Sequence, residues 1–341
     1  MLLLLPSFLA VLTSAVVYFF RKQSTLWLVL VSLLQVGALV ISWSVLTNLQ
    51  VFASIVLIVA LAVLQIVFAQ SSSASALGIV AVSLWLFFLQ AVFSTTLIWW
   101  WVLVMLVWFA VLACRYCLQE VPTAYIFVIT AGLTMLKLVS LQVLSSLAAV
   151  LLAGFIAYLV VVFVLATAWW WRQVAWGLLQ ILWVLLLLTV LSSSSQVAAL
   201  FFLATAIITV SLGTLLGDFF DSNQQVSSGD ILPSRVVKTF WMVHLFSIWS
   251  LPPVLSAMSF FLVLTQLLQF GLAWTIVFVL SSLVITFLLT TKLLPEWQTK
   301  IQIKPRPHLY FGAGILVIAI LILPLSLPDP VITFLQSVLV P

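Results

Sequence analysis

The chain has 341 residues, of which 66% are hydrophobic and 5% charged, and its formal charge is +5. A soluble domain carries about 25% charged residues, and no soluble core hides this much apolar surface, because burial capacity grows slowly with size. The composition excludes a soluble enzyme and makes lipid the natural solvent. A basic excess points to nucleic acid only when it clusters on a solvated face. Here the basic residues stand singly or in pairs between apolar runs, so no nucleic-acid partner is expected.

The apolar runs are each about 17–25 residues long, enough to cross a bilayer as helix. A β-barrel would instead alternate apolar and polar residues in segments of about ten. Val51 to Ala69 is interrupted only by Ser54 and Gln65, and Ile181 to Leu191 only by Thr189. The expected fold is all-α, a single polytopic transmembrane bundle over residues 1–341 with about 11–13 helices.

In chain order, helices are expected near 2–20, 25–46, 51–69, 77–95, 97–114, 122–144, 147–168, 175–192, 197–216, 239–269, 271–293 and 308–325. The first run has no basic residue ahead of it and is followed by Arg21-Lys22, so it reads as a spanning helix rather than a secretory signal. Cys114 and Cys117 form a CxxC without a second pair to complete a zinc site; they read as small helix-end residues, with a redox role as the alternative. The tenth run contains Leu251-Pro252-Pro253. Proline removes a backbone donor and clashes with the preceding turn, so a break inside the membrane is expected there. Free backbone groups at such a break need protein or water around them. Gly217 to Lys238 reads as a polar loop, Pro295 to His308 as a shorter basic one, and residues from about 326 to 341 as an amphipathic tail.

Charge placement tests this count. The basic residues are Arg21, Lys22, Arg115, Lys137, Arg172, Arg235, Lys238, Lys292, Lys300, Lys304 and Arg306. All except Lys137 fall in or beside loops that follow an odd-numbered helix, which puts those loops on the inner side of the membrane. No Walker loop, dinucleotide fingerprint or metal-ligand cluster is legible, so no cofactor or metal is expected on this chain.

Lys137 lies mid-way through its expected helix. An ionised lysine at the bilayer centre costs about 2.5–3.5 kcal/mol on insertion scales, and desolvation makes it ready to give up a proton, the property a relay needs. The alternative is a stem that snorkels to an interface or pairs with a polar partner. His244, about two turns before the proline break, can exchange protons near neutral pH, or can rest as a neutral ring satisfied by one partner. Glu120 follows one helix and opens the helix of Lys137, and Asp218 and Asp221 read as solvated loop residues. Trp99 to Trp101 and Trp169 to Trp171 lie near span ends, as interface anchors do.

His244-Leu-Phe-Ser-Ile-Trp-Ser-Leu-Pro-Pro253, followed by Val-Leu-Ser-Ala-Met-Ser-Phe260, resembles the broken helix of the antiporter-like subunits of respiratory complex I, above all NADH dehydrogenase subunit 2, called chain N in bacteria. The stretch Leu323-Pro-Leu-Ser-Leu-Pro-Asp-Pro330 is similar to that family's last helix and amphipathic tail. Three more stretches fit at nearly constant offset: Trp27 to Gln35, Ala113-Cys-Arg-Tyr-Cys-Leu-Gln-Glu-Val121, and Leu133-Thr-Met-Leu-Lys137-Leu. The resemblance implies a mitochondrial inner-membrane protein, with its basic loops on the matrix side and other membrane-arm subunits and lipids as partners. It implies a subunit of NADH:ubiquinone reductase with no redox site of its own, since NADH, FMN, iron-sulfur clusters and ubiquinone belong to other subunits. Family members carry protons along a buried row of one glutamate and several lysines. In this register the row reads Gln35, Trp108, Lys137 and Phe260, so only Lys137 still titrates, and the proton path is expected to be partly degenerate. The two other readings are a stand-alone secondary transporter and a purely structural subunit.

Overall fold

A computed structural model describes residues 33, 36, 37, 40, 41, 47–68, 120–140, 146–165, 169–189, 196–221, 235–252, 254–298, 307–322 and 329–338. Among these residues the secondary structure is helix joined by turns, with no strand. The helices are α1 (Asn48–Phe68), α2 (Glu120–Ser140), α3 (Ser146–Val164), α4 (Trp169–Thr189), α5 (Gln196–Asp221), α6 (Arg235–Ile248), α7 (Leu255–Phe270), α8 (Leu272–Gln298), α9 (Pro307–Ile322) and α10 (Asp329–Ser337). Among the described residues, three stretches are long and apolar enough to cross a membrane: Trp171–Thr189, Gln196–Gly217 and Leu272–Thr291. The helices expected at 2–20, 77–95 and 97–114, with Cys114 and Cys117, lie outside the described residues.

The chain divides into two compact units, one of residues 1–126 with 337–341 and one of residues 127–336. In the first, α1 is buried on several faces, through Val51, Phe52, Val56, Ala60, Val63, Leu64 and Val67. Its start is set locally. Gln50 N–H donates to Thr47 Oγ1 at 3.3 Å and Thr47 N–H donates to Gln50 Oε1 at 2.9 Å. These reciprocal bonds satisfy two of the donors that a helix N-terminus leaves free.

In the second unit α5 is the central helix and packs against α4, α6, α7 and α9. It stays apolar outside although it holds Thr205, Ser211 and Thr214, because each hydroxyl donates to a carbonyl three or four residues back, namely Phe202, Ile207 and Val210. Helices α2, α4 and α5 meet where side chains are absent. A Cβ on Gly177 would fall 2.9 Å from Val128 and 3.4 Å from Val210, and one on Gly132 would fall 3.3 Å from Leu203 and 3.7 Å from Ile181. Moving up α2 from Val128 to Gly132 thus runs up α4 and down α5, so α2 and α4 are parallel and α5 is antiparallel to both. On the rim, α8 packs against α4 and α7 and turns Trp274, Val277, Leu280, Val284 and Phe287 outward. That apolar exterior suits lipid or a neighbouring subunit.

The run over 239–269, expected to break at Leu251-Pro252-Pro253, is two helices on either side of that point. Helix α6 ends at Ile248, and Ser250 takes a left-handed φ of 52°. Ser250 N–H then donates to Ser247 O at 3.3 Å and Leu251 N–H to Phe246 O at 3.0 Å. This pair of bonds closes a helix end, normally with glycine at the left-handed position. Pro252 has no N–H to offer Ile248 O, the carbonyl that a continuing helix would bond to it. Thr286 Oγ1, from α8, donates to that carbonyl instead, at 3.4 Å. Leu251 and Pro252 are exposed, and Pro253 lies outside the described residues. Thr286→Val is expected to leave Ile248 O without this donor and to cost about 1–2 kcal/mol. Detergent-titrated unfolding of the purified chain reads this, and an unchanged midpoint would show the hydroxyl to be idle.

Other boundaries moved as well. Helix α5 runs on through Asp218 to Asp221 and α6 begins at Arg235, so the segment read as a loop from 217 to 238 is helical at both ends. Helix α8 continues past Pro295 to Gln298, into the segment read as a basic loop. The tail contains a short helix, α10, at Asp329–Ser337. Helices α7 and α8 are joined by Gly271 alone, whose φ of 143° only glycine adopts without strain.

Candidate functional site

His244 is fully buried on α6, one turn before Ser247, and both of its ring nitrogens lack a hydrogen-bond partner. The indole of Trp241, three residues earlier, meets the imidazole edge to face with centroids 5.7 Å apart. Opposite stands Gly213 of α5. A Cβ built there would lie 2.7 Å from His244 Cε1 and 1.6 Å from Gln173 Nε2. The missing side chain is therefore what lets the Gln173 carboxamide of α4 and the His244 ring of α6 occupy the same notch. Gln173 Nε2 and Ser247 Oγ are buried and have no partner either. Leaving a buried polar atom unpaired costs about 1–3 kcal/mol, so four such atoms on neighbouring helices are a polar site and not a packing accident.

A second polar contact lies further along α5. Thr205 Oγ1 donates to Ser259 Oγ at 2.9 Å, and Ser259 Oγ in turn donates to Ser256 O at 2.9 Å. Ser256 Oγ is buried without a partner, on the first turn of α7 just past the break. Gly213 and Thr205 are eight positions apart on one helix, about 12 Å. Buried hydroxyls thus follow the break into the unit.

Beside Ser259 the chemistry changes. Phe260, the position at which the resemblance expects a lysine, stacks on Phe278 of α8 with centroids 4.7 Å apart. Phe278 is fully buried and also meets Trp183 of α4 at 5.0 Å and Phe202 of α5 at 6.0 Å. Four helices are locked by one aromatic cluster, and no group in it can carry a proton.

Lys137 is buried, at 5% exposure, in the last turn of α2, between Thr134 and the helix end at Ser140. The carbonyl end of a helix favours a cation there. Lys137 and His244 are not neighbours. Gly132 sits level with Leu203 on α5, Lys137 is a further turn and a half up, and Gly213 lies in the opposite direction. The two candidates are separated by roughly 20 Å along the bundle.

Glu120 is the first residue of α2, and its side chain lies outside the described residues, as do those of Asp218 and Asp221. Gln35 and Trp108 lie outside them as well. Among the described residues, no group of three histidine, cysteine, aspartate or glutamate side chains could hold a metal ion. Gln173, Gly213, Ser247, Thr205 and Ser259 were not singled out from the sequence. The available signal was Gln173 and Gln180 seven residues apart, two turns along one face of an otherwise apolar helix.

No protein-family model matches the chain, and no curated protein matches it.

Proposed function

We propose that the chain is a multi-pass, antiporter-like membrane-arm subunit of proton-translocating NADH:ubiquinone oxidoreductase in the mitochondrial inner membrane. One observation carries this reading: a fully buried histidine with both ring nitrogens unpaired, about two turns before a proline break. Ionisable groups in membrane helices face interiors and mark ion pathways, and discontinuous helices carry the sites of ion-coupled transporters. Lys137 supports the reading as a second buried titratable group. Its distance from His244 fits a relay whose steps are bridged by water and by the hydroxyls of Thr205, Ser256 and Ser259. Electron transfer belongs to partner subunits, and this chain works on protons alone.

The test is native electrophoresis of gently solubilised membranes with mass spectrometry of each band. The chain is expected to migrate within a very large assembly that has NADH dehydrogenase activity. Migration alone or as a small oligomer would sink this reading and favour a stand-alone secondary transporter. The Phe260–Phe278 cluster favours a second reading, a structural subunit that has lost proton transfer. Variants of Lys137 separate the two.

A further inference from the structure

We infer that Gln173 is the positioning residue of His244, its carboxamide bonding directly to the imidazole when the ring is turned to bring Nε2 toward it. The two side chains already touch. Gln173 Nε2 and His244 Cε1 lie 1.6 Å and 2.7 Å from one point, the place that a Cβ on Gly213 would take. Together those distances hold the two atoms within the roughly 4.0–4.5 Å that defines a side-chain contact. Gln173 Nε2 and both ring nitrogens are buried without a partner. The atom that faces the amide is a ring carbon, which is why neighbours of complementary chemistry stand unbonded.

The last torsion of a histidine side chain is roughly two-fold. Half a turn about it exchanges Cε1 with Nε2 and leaves the outline of the ring almost unchanged. No cavity is needed, because atoms of nearly equal size trade places. Nε2 then stands against Gln173 Nε2 and accepts its N–H. The turn satisfies a donor and an acceptor that otherwise stay buried and unpaired. Gly213 permits the meeting, since a Cβ there would collide with the carboxamide.

This bond sets where the proton sits. A neutral imidazole has one donor and one acceptor, so a bond accepted at Nε2 leaves the hydrogen on Nδ1. When a proton arrives at Nε2 along the proposed path, both nitrogens donate. Gln173 then turns its carboxamide over and presents Oε1 as the acceptor. That turn also exchanges atoms of similar size. When the proton leaves, the amide turns back. Gln173 carries no proton itself and holds the ring in both states. The inference deepens the proton-carrying reading of His244 and rests on it for its use, whereas the pairing rests on the geometry.

The experiment is solid-state magnetic resonance on the full chain in lipid bilayers, isotopically labelled in the histidine rings and the glutamine side-chain amides. Only His244 and His308 give ring signals, and His308→Asn tells them apart. The expected result is a through-space signal between the unprotonated Nε2 of His244 and a glutamine amide. It should vanish in Gln173→Leu and persist in Gln180→Leu, about two turns along the same helix. Gly213→Ala puts a methyl where the amide lies and should abolish the signal too. A wild-type ring with no glutamine amide beside it, or a signal that survives Gln173→Leu, overturns the inference. Should Gln173→Leu not accumulate, Gly213→Ala decides, and a signal that survives there overturns it. In the assembled complex, Gln173→Leu is expected to lower proton translocation by about tenfold, the scale of one lost buried hydrogen bond. Unchanged translocation would overturn the positioning role. Native electrophoresis of the same samples keeps the two readings apart. Pairing in a chain that migrates alone removes the complex I assignment only, and an unpaired ring in an assembled chain removes this inference only.

Discussion

Replacing Lys137 by alanine is expected to cut proton translocation by about a hundredfold, the scale of a lost acid–base group. Assembly should survive. Lys137 is buried, and removing a buried ammonium relieves an insertion cost of about 2.5–3.5 kcal/mol. The informative companion is Lys137→Arg. Arginine keeps the positive charge and cannot release a proton in a protein. If Lys137 is a carrier, arginine fails as alanine does. If it is a structural cation placed at the carbonyl end of α2, arginine restores function and alanine alone fails. Translocation in sealed vesicles, with electron-transfer rate as the control, reads the difference. Normal coupling in Lys137→Ala would leave the structural-subunit reading standing.

The second large effect is on stability. Phe278→Ala is expected to cost about 3–4 kcal/mol, because the ring is fully buried and its loss opens a cavity facing three helices. Trp183, Phe202 and Phe260 each lose their ring contact at once. Within lipid the drive for helices to associate is packing rather than escape from water, so an emptied contact is not offset by solvent. Phe287 is the control. It lies on the same helix but faces outward, so Phe287→Ala should change the unfolding midpoint little. Equal effects at the two positions would show that the aromatic cluster does not hold the unit together.

The proline break illustrates what local chemistry makes legible. Leu251-Pro252-Pro253 announces an interrupted helix in any context, because proline lacks an N–H whatever surrounds it. The sequence could not say how the freed carbonyl would be satisfied. The answer, Thr286, is 38 residues away from Ile248 on another helix. Nor could it show that a serine would take the left-handed position at the end of α6, since serine favours that conformation no more than most residues do. The loop expected over 217–238 is helical at both ends for a related reason. Asp218 and Asp221 are polar, but a helix end tolerates polar residues as readily as a loop does.

The candidate site divides in the same way. Lys137 and His244 stood out because a titratable residue within a long apolar run is costly wherever it lies. Gln173 and Gly213 did not stand out, since an amide and a glycine are unremarkable in a membrane helix. They gain meaning only once α4, α5 and α6 lie side by side with the histidine opposite the glycine. Phe260 is intermediate. The sequence showed that no lysine is present there, and the packing on Phe278 showed that the space is filled by an aromatic ring.

What the sequence alone determined is therefore the solvent, the helical class, the break and the two buried titratable groups. Each follows from the free energy of single residues or short runs in lipid, which is local. What only the tertiary structure decided is which helices meet, that Lys137 and His244 stand roughly 20 Å apart along the bundle, and that Gln173 and His244 come together at Gly213. Apolar helices of this kind match almost any neighbour by composition. Their pairing is set by where small side chains let backbones approach and where buried polar atoms come together, and those are properties of the packed bundle.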